Sequence, residues 1–269
     1  MYKNLLAISA LGLLFGCTGK SSETDSGATS TDDSGATDDS SATDDSSAAD
    51  DSADTEDSGD SSTVELKLSV LDIGSTGLNS GVAVTVDGVD STTDSSGYAY
   101  FSVPKDAIIS AYATKDGYID GYLQVFSLEE DFSTSIFNFS ESGLATLTSV
   151  FGVTYDENKT ALLIGTYHRD ESGALSALPG VEVNIDVAYD LVVATDPSSP
   201  YGVSEGNSSL SDVSARVIFV NATPGEAVVS VTPPEGEEDC AWYRGDTLVE
   251  DWHPALVAGT LTTAYIVCF

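Results

Sequence analysis

Val64-Glu65-Leu66-Lys67-Leu68-Ser69-Val70 alternates apolar and polar side chains without a break. Successive side chains of an extended chain point to opposite faces, so this stretch reads as a strand with one face in a core and the other in water. The pattern recurs downstream. Val82, Val84 and Val86 mark a second strand, stopped at Asp87-Gly88. Ser95-Ser96-Gly97 then turns the chain into Tyr98-Ala99-Tyr100-Phe101-Ser102-Val103, which Pro104 ends. Ile108 to Ala113, Tyr122 to Leu128 and Ser135 to Phe139 supply three more. Many short strands, with a turn about every 8–12 residues, predict an all-β sandwich.

Upstream of Val64 the composition changes. Residues 20–63 contain no aromatic and no large apolar side chain. They repeat a hexad: Thr31-Asp32-Asp33-Ser34-Gly35-Ala36, Thr37-Asp38-Asp39-Ser40-Ser41-Ala42, Thr43-Asp44-Asp45-Ser46-Ser47-Ala48. Such a chain cannot bury enough apolar surface to offset its ordering entropy, and its like charges stretch it. It is expected to be a disordered tether. Its Asp pairs could attract calcium, but no Gly turn or closing Glu completes an EF-hand-like loop. Further upstream, Lys3 precedes an uncharged apolar run, Leu5 to Gly16. The order and length are those of a secretory signal peptide, too short for a membrane span. Leu14-Phe15-Gly16-Cys17 resembles a bacterial lipobox, although Phe15 stands where a small residue is usual. The resemblance implies that Cys17 becomes the first mature residue and carries the lipid. The protein would then sit, lipid-anchored, at the bacterial outer membrane or cell surface.

Downstream, three runs share a further resemblance: Asn79-Ser80-Gly81-Val82-Ala83-Val84-Thr85-Val86, Thr93-Asp94-Ser95-Ser96-Gly97-Tyr98-Ala99-Tyr100-Phe101 and Lys115-Asp116-Gly117-Tyr118. Together they resemble the carboxypeptidase regulatory-like domain, over roughly residues 64–140. The resemblance implies a transthyretin-like (prealbumin-type) sandwich of about seven strands, without peptidase residues, used as a binding or spacer unit in exported proteins. The residues themselves account for the shared turn: Gly97 supplies backbone freedom and Asp94 can bond its own turn. After it, Leu144, Leu147 and Phe151 fall on one helical face behind a cap at Ser140 or Ser142, which predicts a short helix.

A second copy follows. Ala161 to Tyr167 matches the first strand, and Leu178-Pro179-Gly180-Val181-Glu182-Val183-Asn184-Ile185 parallels Asn79 to Val86. Ser211 to Phe219 parallels Thr93 to Phe101, and Glu226 to Val231 parallels the strand at Ile108. Ala215 replaces Gly97, and an insertion, about Val187 to Ser208, reads as a long loop or an extra hairpin. The chain thus divides into a signal peptide (1–16), Cys17 with its tether (17–63), a first sandwich (64–140), a connecting helix and linker (141–160) and a second sandwich with an insertion (161–269).

Charge narrows the partners. The chain carries 44 acidic against 9 basic residues, net −35. Such a surface repels phosphate backbones, so no nucleic acid is expected, and it meets an anionic membrane only through the lipid. With Cys17 lipidated, Cys240 and Cys268 remain as a pair, and in an exported compartment a disulfide is the default. The rival is zinc on Cys240, His253 and Cys268, which lacks the close ligand spacing of zinc motifs. His168-Arg169-Asp170 could contain a general base or be a polar loop. Asp87, Asp90 and Asp94 could hold calcium or be solvated turn residues. Asn138, Asn158, Asn207 and Asn221 begin glycosylation sequons, taken as chance. No nucleophile elbow, phosphate loop, dinucleotide fingerprint or zincin motif occurs.

One group remains for recognition. Trp242, Tyr243, Arg244, Trp252 and His253 lie inside the loop that the disulfide would close. Rings and an arginine on a stapled loop suit a glycan or an envelope protein, and equally the tryptophans could cover the end of a core. The reading is a non-catalytic binding, adhesion or spacer module needing no cofactor and no metal. The alternatives are a carbohydrate-binding protein or a hydrolase in the second sandwich.

Overall fold

Each alternating stretch folds as a strand. The computed structural model describes residues 62–73, 77–127, 129–237, 239–244, 247–249 and 253–269, with side chains of 244 and 247–249 excepted. Residues 1–61, with the expected signal peptide, Cys17 and nearly all of the expected tether, lie outside the described residues, as does Trp252; Thr63, expected as the tether's last residue, begins β1. The first half contains β1 (Thr63–Asp72), β2 (Ala83–Val86), β3 (Val89–Thr92), β4 (Tyr98–Pro104), β5 (Ile108–Thr114), β6 (Tyr118–Phe126) and β7 (Phe132–Ser140). Helix α1 (Glu141–Val150) follows. The second half contains β8 (Thr160–Arg169), β9 (Leu175–Ala177), β10 (Glu182–Ile185), β11 (Leu191–Thr195), β12 (Val203–Glu205) and β13 (Arg216–Ala222). It continues with β14 (Gly225–Glu226), β15 (Val229–Thr232), β16 (Cys240–Arg244), β17 (Thr247–Val249), β18 (Ala255–Leu256) and β19 (Thr260–Cys268).

In the first half β1 lies between antiparallel β4 and parallel β7, and faces a sheet ordered β3, β2, β5, β6. Leu66, Leu68, Val84, Ile109, Ala111 and Leu123 fill the space between the two layers. The hairpin joining β2 to β3 is a two-residue turn in which Asp87 and Gly88 both have positive φ, 46° and 84°. Asp-Gly is the usual chemistry for such a turn, so the residues that end β2 also start the next strand.

The second half repeats this pairing. β8 lies between antiparallel β13 and parallel β19, and β10 pairs antiparallel with β15. β16 joins the end of β19 as β6 joins the end of β7. Position for position, Val70 donates its N–H to the Gly97 carbonyl at 3.3 Å, and Thr166 donates to the Ala215 carbonyl at 3.0 Å. Gly97 has φ +78°, and a Cβ there would run into Leu78. At Ala215 the turn is built differently: Ser211 Oγ accepts from the N–H groups of Val213 (3.4 Å) and Ser214 (3.1 Å). The insertion is an extra hairpin. Its strands β11 and β12 extend the sheet beyond β13.

The two halves are joined through one short strand pairing and a shared core. β19 pairs with β8 on one side and, through Thr260 to Thr263, with β6 of the first half on the other. A third core lies between the halves. Leu71, Phe137 and Phe139 meet Leu163, Val193 and Ile218 there. β8 therefore buries both faces, which is why Ala161-Leu162-Leu163-Ile164 reads as a continuous apolar run. Helix α1 packs into the same core. Ser140 caps it by accepting from Gly143 N, Leu144 is 1% exposed, and Leu147 and Phe151 pack against the cluster. The described residues form one compact unit.

Candidate binding surface

Cys240 and Cys268 are joined by a disulfide, with Cα atoms 4.0 Å apart. They face each other in the β16–β19 ladder, so the bond fastens the last strand to its neighbour. Both sulfurs being taken up, the zinc alternative falls. Along β16 the side chains alternate. Trp242 turns inward and is 4% exposed, packed with Leu162, Ile164, Phe219 and Ile266. Tyr243 turns the other way. The stapled-loop surface is thus corrected in part: Trp242 takes the core alternative and offers no ring to a ligand. His253 is exposed. The Arg244 side chain and Trp252 lie outside the described residues.

Tyr243 lines a cleft that sequence reasoning did not anticipate. Its other walls include Gln124 and Phe126 of β6, Phe132 and Ser133 of β7, and Tyr265 of β19. The cleft exists because β6 pairs with β7 only at Tyr118 and Ile119, then diverges to join β5 and β19. That leaves one edge of β7 open. Tyr265 closes part of it, donating its hydroxyl to the Ser135 carbonyl at 2.8 Å. Burial raises the Tyr265 pKa well above that of an ordinary phenol. Just beyond, the Arg216 guanidinium lies 4.6 Å from the centre of the Phe137 ring, a cation–π contact from the second half to the first. The cleft holds about 30 Å³, room for roughly one water or the edge of a ring.

The polar candidates are engaged in the fold. His168 Nδ1 lies 3.0 Å from a Glu237 carboxylate oxygen. Asp94 Oδ1 accepts from the N–H groups of Ser96 (2.8 Å) and Tyr98 (3.0 Å). Asp87 Oδ1 accepts from Ser110 N (3.0 Å), and Asp90 Oδ1 from the Thr85 hydroxyl (2.7 Å). Asp170 and Asp196 repeat the device: the hydroxyls of Ser172 and Ser198, together with backbone N–H groups, hold their pKa values below the usual carboxylate range. Among the described residues no three His, Cys, Asp or Glu side chains gather to hold a metal. Of the sequon asparagines, Asn138 and Asn221 are interior, at 0% and 3% exposure. Among the described residues no helix is long and apolar enough to cross a membrane.

No family model and no curated protein matches the chain. Solved structures do. The Bacillus anthracis TIE protein is 15% identical, with TM-score 0.26, covering 77% of this chain and 34% of its own, so this chain spans about a third of that protein's length. GBS52, the minor pilin of the Gram-positive pathogen Streptococcus agalactiae, is 12% identical with TM-score 0.26, covering 75% of this chain and 94% of its own. The shaft pilin SpaA of Lactobacillus rhamnosus GG is 13% identical with TM-score 0.23, covering 77% and 98%. At these scores the strand pairing within the chain, rather than the likeness, carries the fold.

Proposed function

We propose that this chain is a non-catalytic surface-display module: a fused pair of carboxypeptidase regulatory-like sandwiches held off a bacterial membrane by a lipidated Cys17 and an acidic tether. The observation that carries the reading is where the reactive side chains go. The imidazole of His168 bonds Glu237, Cys240 and Cys268 are joined, Asp94, Asp170 and Asp196 bond residues of their own turns, and Asp87 and Asp90 bond the strands beside them. Among the described residues, a sheet surface and an aromatic-lined cleft stand open to a partner. The leader and Cys17 support anchoring, since two or more acyl chains hold a protein stably on a bilayer.

The test is made on cells producing the full chain. Protease added outside should cleave the protein, and Cys17→Ser should move it from the membrane pellet to the soluble fraction. Resistance to external protease, together with pelleting unchanged by Cys17→Ser, would refute display by a lipid anchor.

A further inference from the structure

Three cross-strand pairs stand side by side where β5 meets β6: Ile108 with Phe126, Ser110 with Gln124, and Tyr112 with Tyr122. The residues between them, Ile109, Ala111 and Leu123, point into the core, so these six lie on the opposite face, where Tyr122 is buried at 4% exposure and Ser110, Gln124 and Phe126 are half-buried. Ile108 is 55% exposed and Tyr112 36%. The rings of Tyr112 and Tyr122 lie 4.8 Å apart at 45°, and the Tyr122 hydroxyl sits 3.3 Å from Ser110 Oγ. Asp87 borders the strip, but its carboxylate holds the Ser110 backbone N–H.

None of the six carries a charge, in a chain of net −35. Solubility alone would put charged side chains at its exposed positions, Ile108 and Tyr112. The strip also runs into the cleft, because Gln124 and Phe126 belong to both.

We propose that this strip, as far as the rim of the cleft beside Tyr243, binds a neutral polysaccharide; the proposal rests on the display reading and gives it a ligand class. Charge decides the occupant. A second copy would bring one strongly negative molecule against another, and a polyanion or an anionic bilayer would be repelled alike. A neutral, hydroxyl-rich chain meets no such barrier. The C–H face of a pyranose lies on the exposed Tyr112 ring, and its hydroxyls bond to Ser110, Gln124 and the Tyr112 O–H. From Tyr112 to Ile108 the strip runs about 14 Å, the length of a short oligosaccharide.

The full-length protein in mild detergent is run on native gels containing soluble β-glucan, dextran, mannan or xylan, with alginate as the polyanionic control. Retardation is expected in at least one neutral polymer and not in alginate. Tyr112→Ala and Ile108→Asp, both at exposed positions and both checked by melting curves, should weaken it at least tenfold. Unchanged mobility in all four neutral polymers would overturn the proposal, as would retardation equal in both variants and wild type. So would sedimentation showing a dimer that Ile108→Asp separates. A protein that external protease reaches on cells yet binds no polysaccharide sinks this site and leaves the display reading standing.

Discussion

Asp94 and Gly97 show how much one turn fixes. The Asp94 side chain accepts from two N–H groups, its own N–H donates to the Tyr98 carbonyl at 2.8 Å, and Gly97 takes a φ that other residues rarely adopt. All of this is legible in Asp-x-x-Gly. Asp120 was not legible, because its surroundings come from far along the chain. It lies on β6 opposite Thr260 of β19, and burial raises its pKa. Beside it, Tyr155 has a buried hydroxyl with no hydrogen-bond partner among the described residues. Burial first, and then the charges of Asp156 and Asp120, push its pKa up to about 12. A carboxyl whose folded pKa is raised stabilises the fold fully below its unfolded pKa and loses that contribution as pH rises through the folded value. Asp120→Asn should therefore raise Tm at pH 7 relative to wild type, and the difference should shrink toward pH 3. Equal melting differences at the two pH values would refute a raised pKa at this partly desolvated carboxyl.

Among the elements, α1 was readable from its apolar spacing, with the cap left open between Ser140 and Ser142: Ser140 takes it, and Leu144, Leu147 and Phe151 form the packed face together with buried Thr148. Gly152, with φ 72°, ends it, and its N–H bonds the Ser149 carbonyl. Trp242 was readable only as a choice between core and surface, because an isolated aromatic carries no period; its strand neighbour decides it, by bringing Ile266 opposite. The cleft left no signal, since it arises from strands that separate rather than from any motif. The disulfide fixes β16 to β19 across a separation of 28 residues. Replacing both cysteines by serine should lower stability by about 3–4 kcal/mol on the chain-entropy estimate. Urea unfolding of oxidised wild type against the double variant measures it, and a loss under about 1 kcal/mol would mean that β19 is held by its other partners alone.

At the scale of the molecule, the repeat was legible and the fusion of its copies was not. A repeat is a pattern within each copy, whereas the seam depends on where β6 and β19 meet, residues with more than a hundred positions between them. The alternation of β1 held a hint. Ser69 and Leu71 are buried as well as Leu68 and Val70, so its far end is covered on both faces. A shared core of this kind should make unfolding cooperative. Tryptophan fluorescence, which reports on the second half, and far-UV ellipticity, which reports on both, should change together on heating. Leu144→Ala should shift both by the same amount, at a cost of about 2–5 kcal/mol. Two separated transitions would mean that the sandwiches unfold as independent domains.

The placement of β19 has a consequence for how the protein is made. Thr260, at its start, follows Thr160, its contact on β8, by 100 residues. During synthesis β8 thus stands with one flank empty until β19 leaves the ribosome. Neither the core beneath Trp242 nor the one around α1 can close earlier, because Ile266 belongs to the first and Leu261 to the second. Closing so long a loop is costly, and little local structure rewards it in advance. A nascent chain with this layout keeps its second half open until β19 has been made, so its two copies close together rather than one after the other.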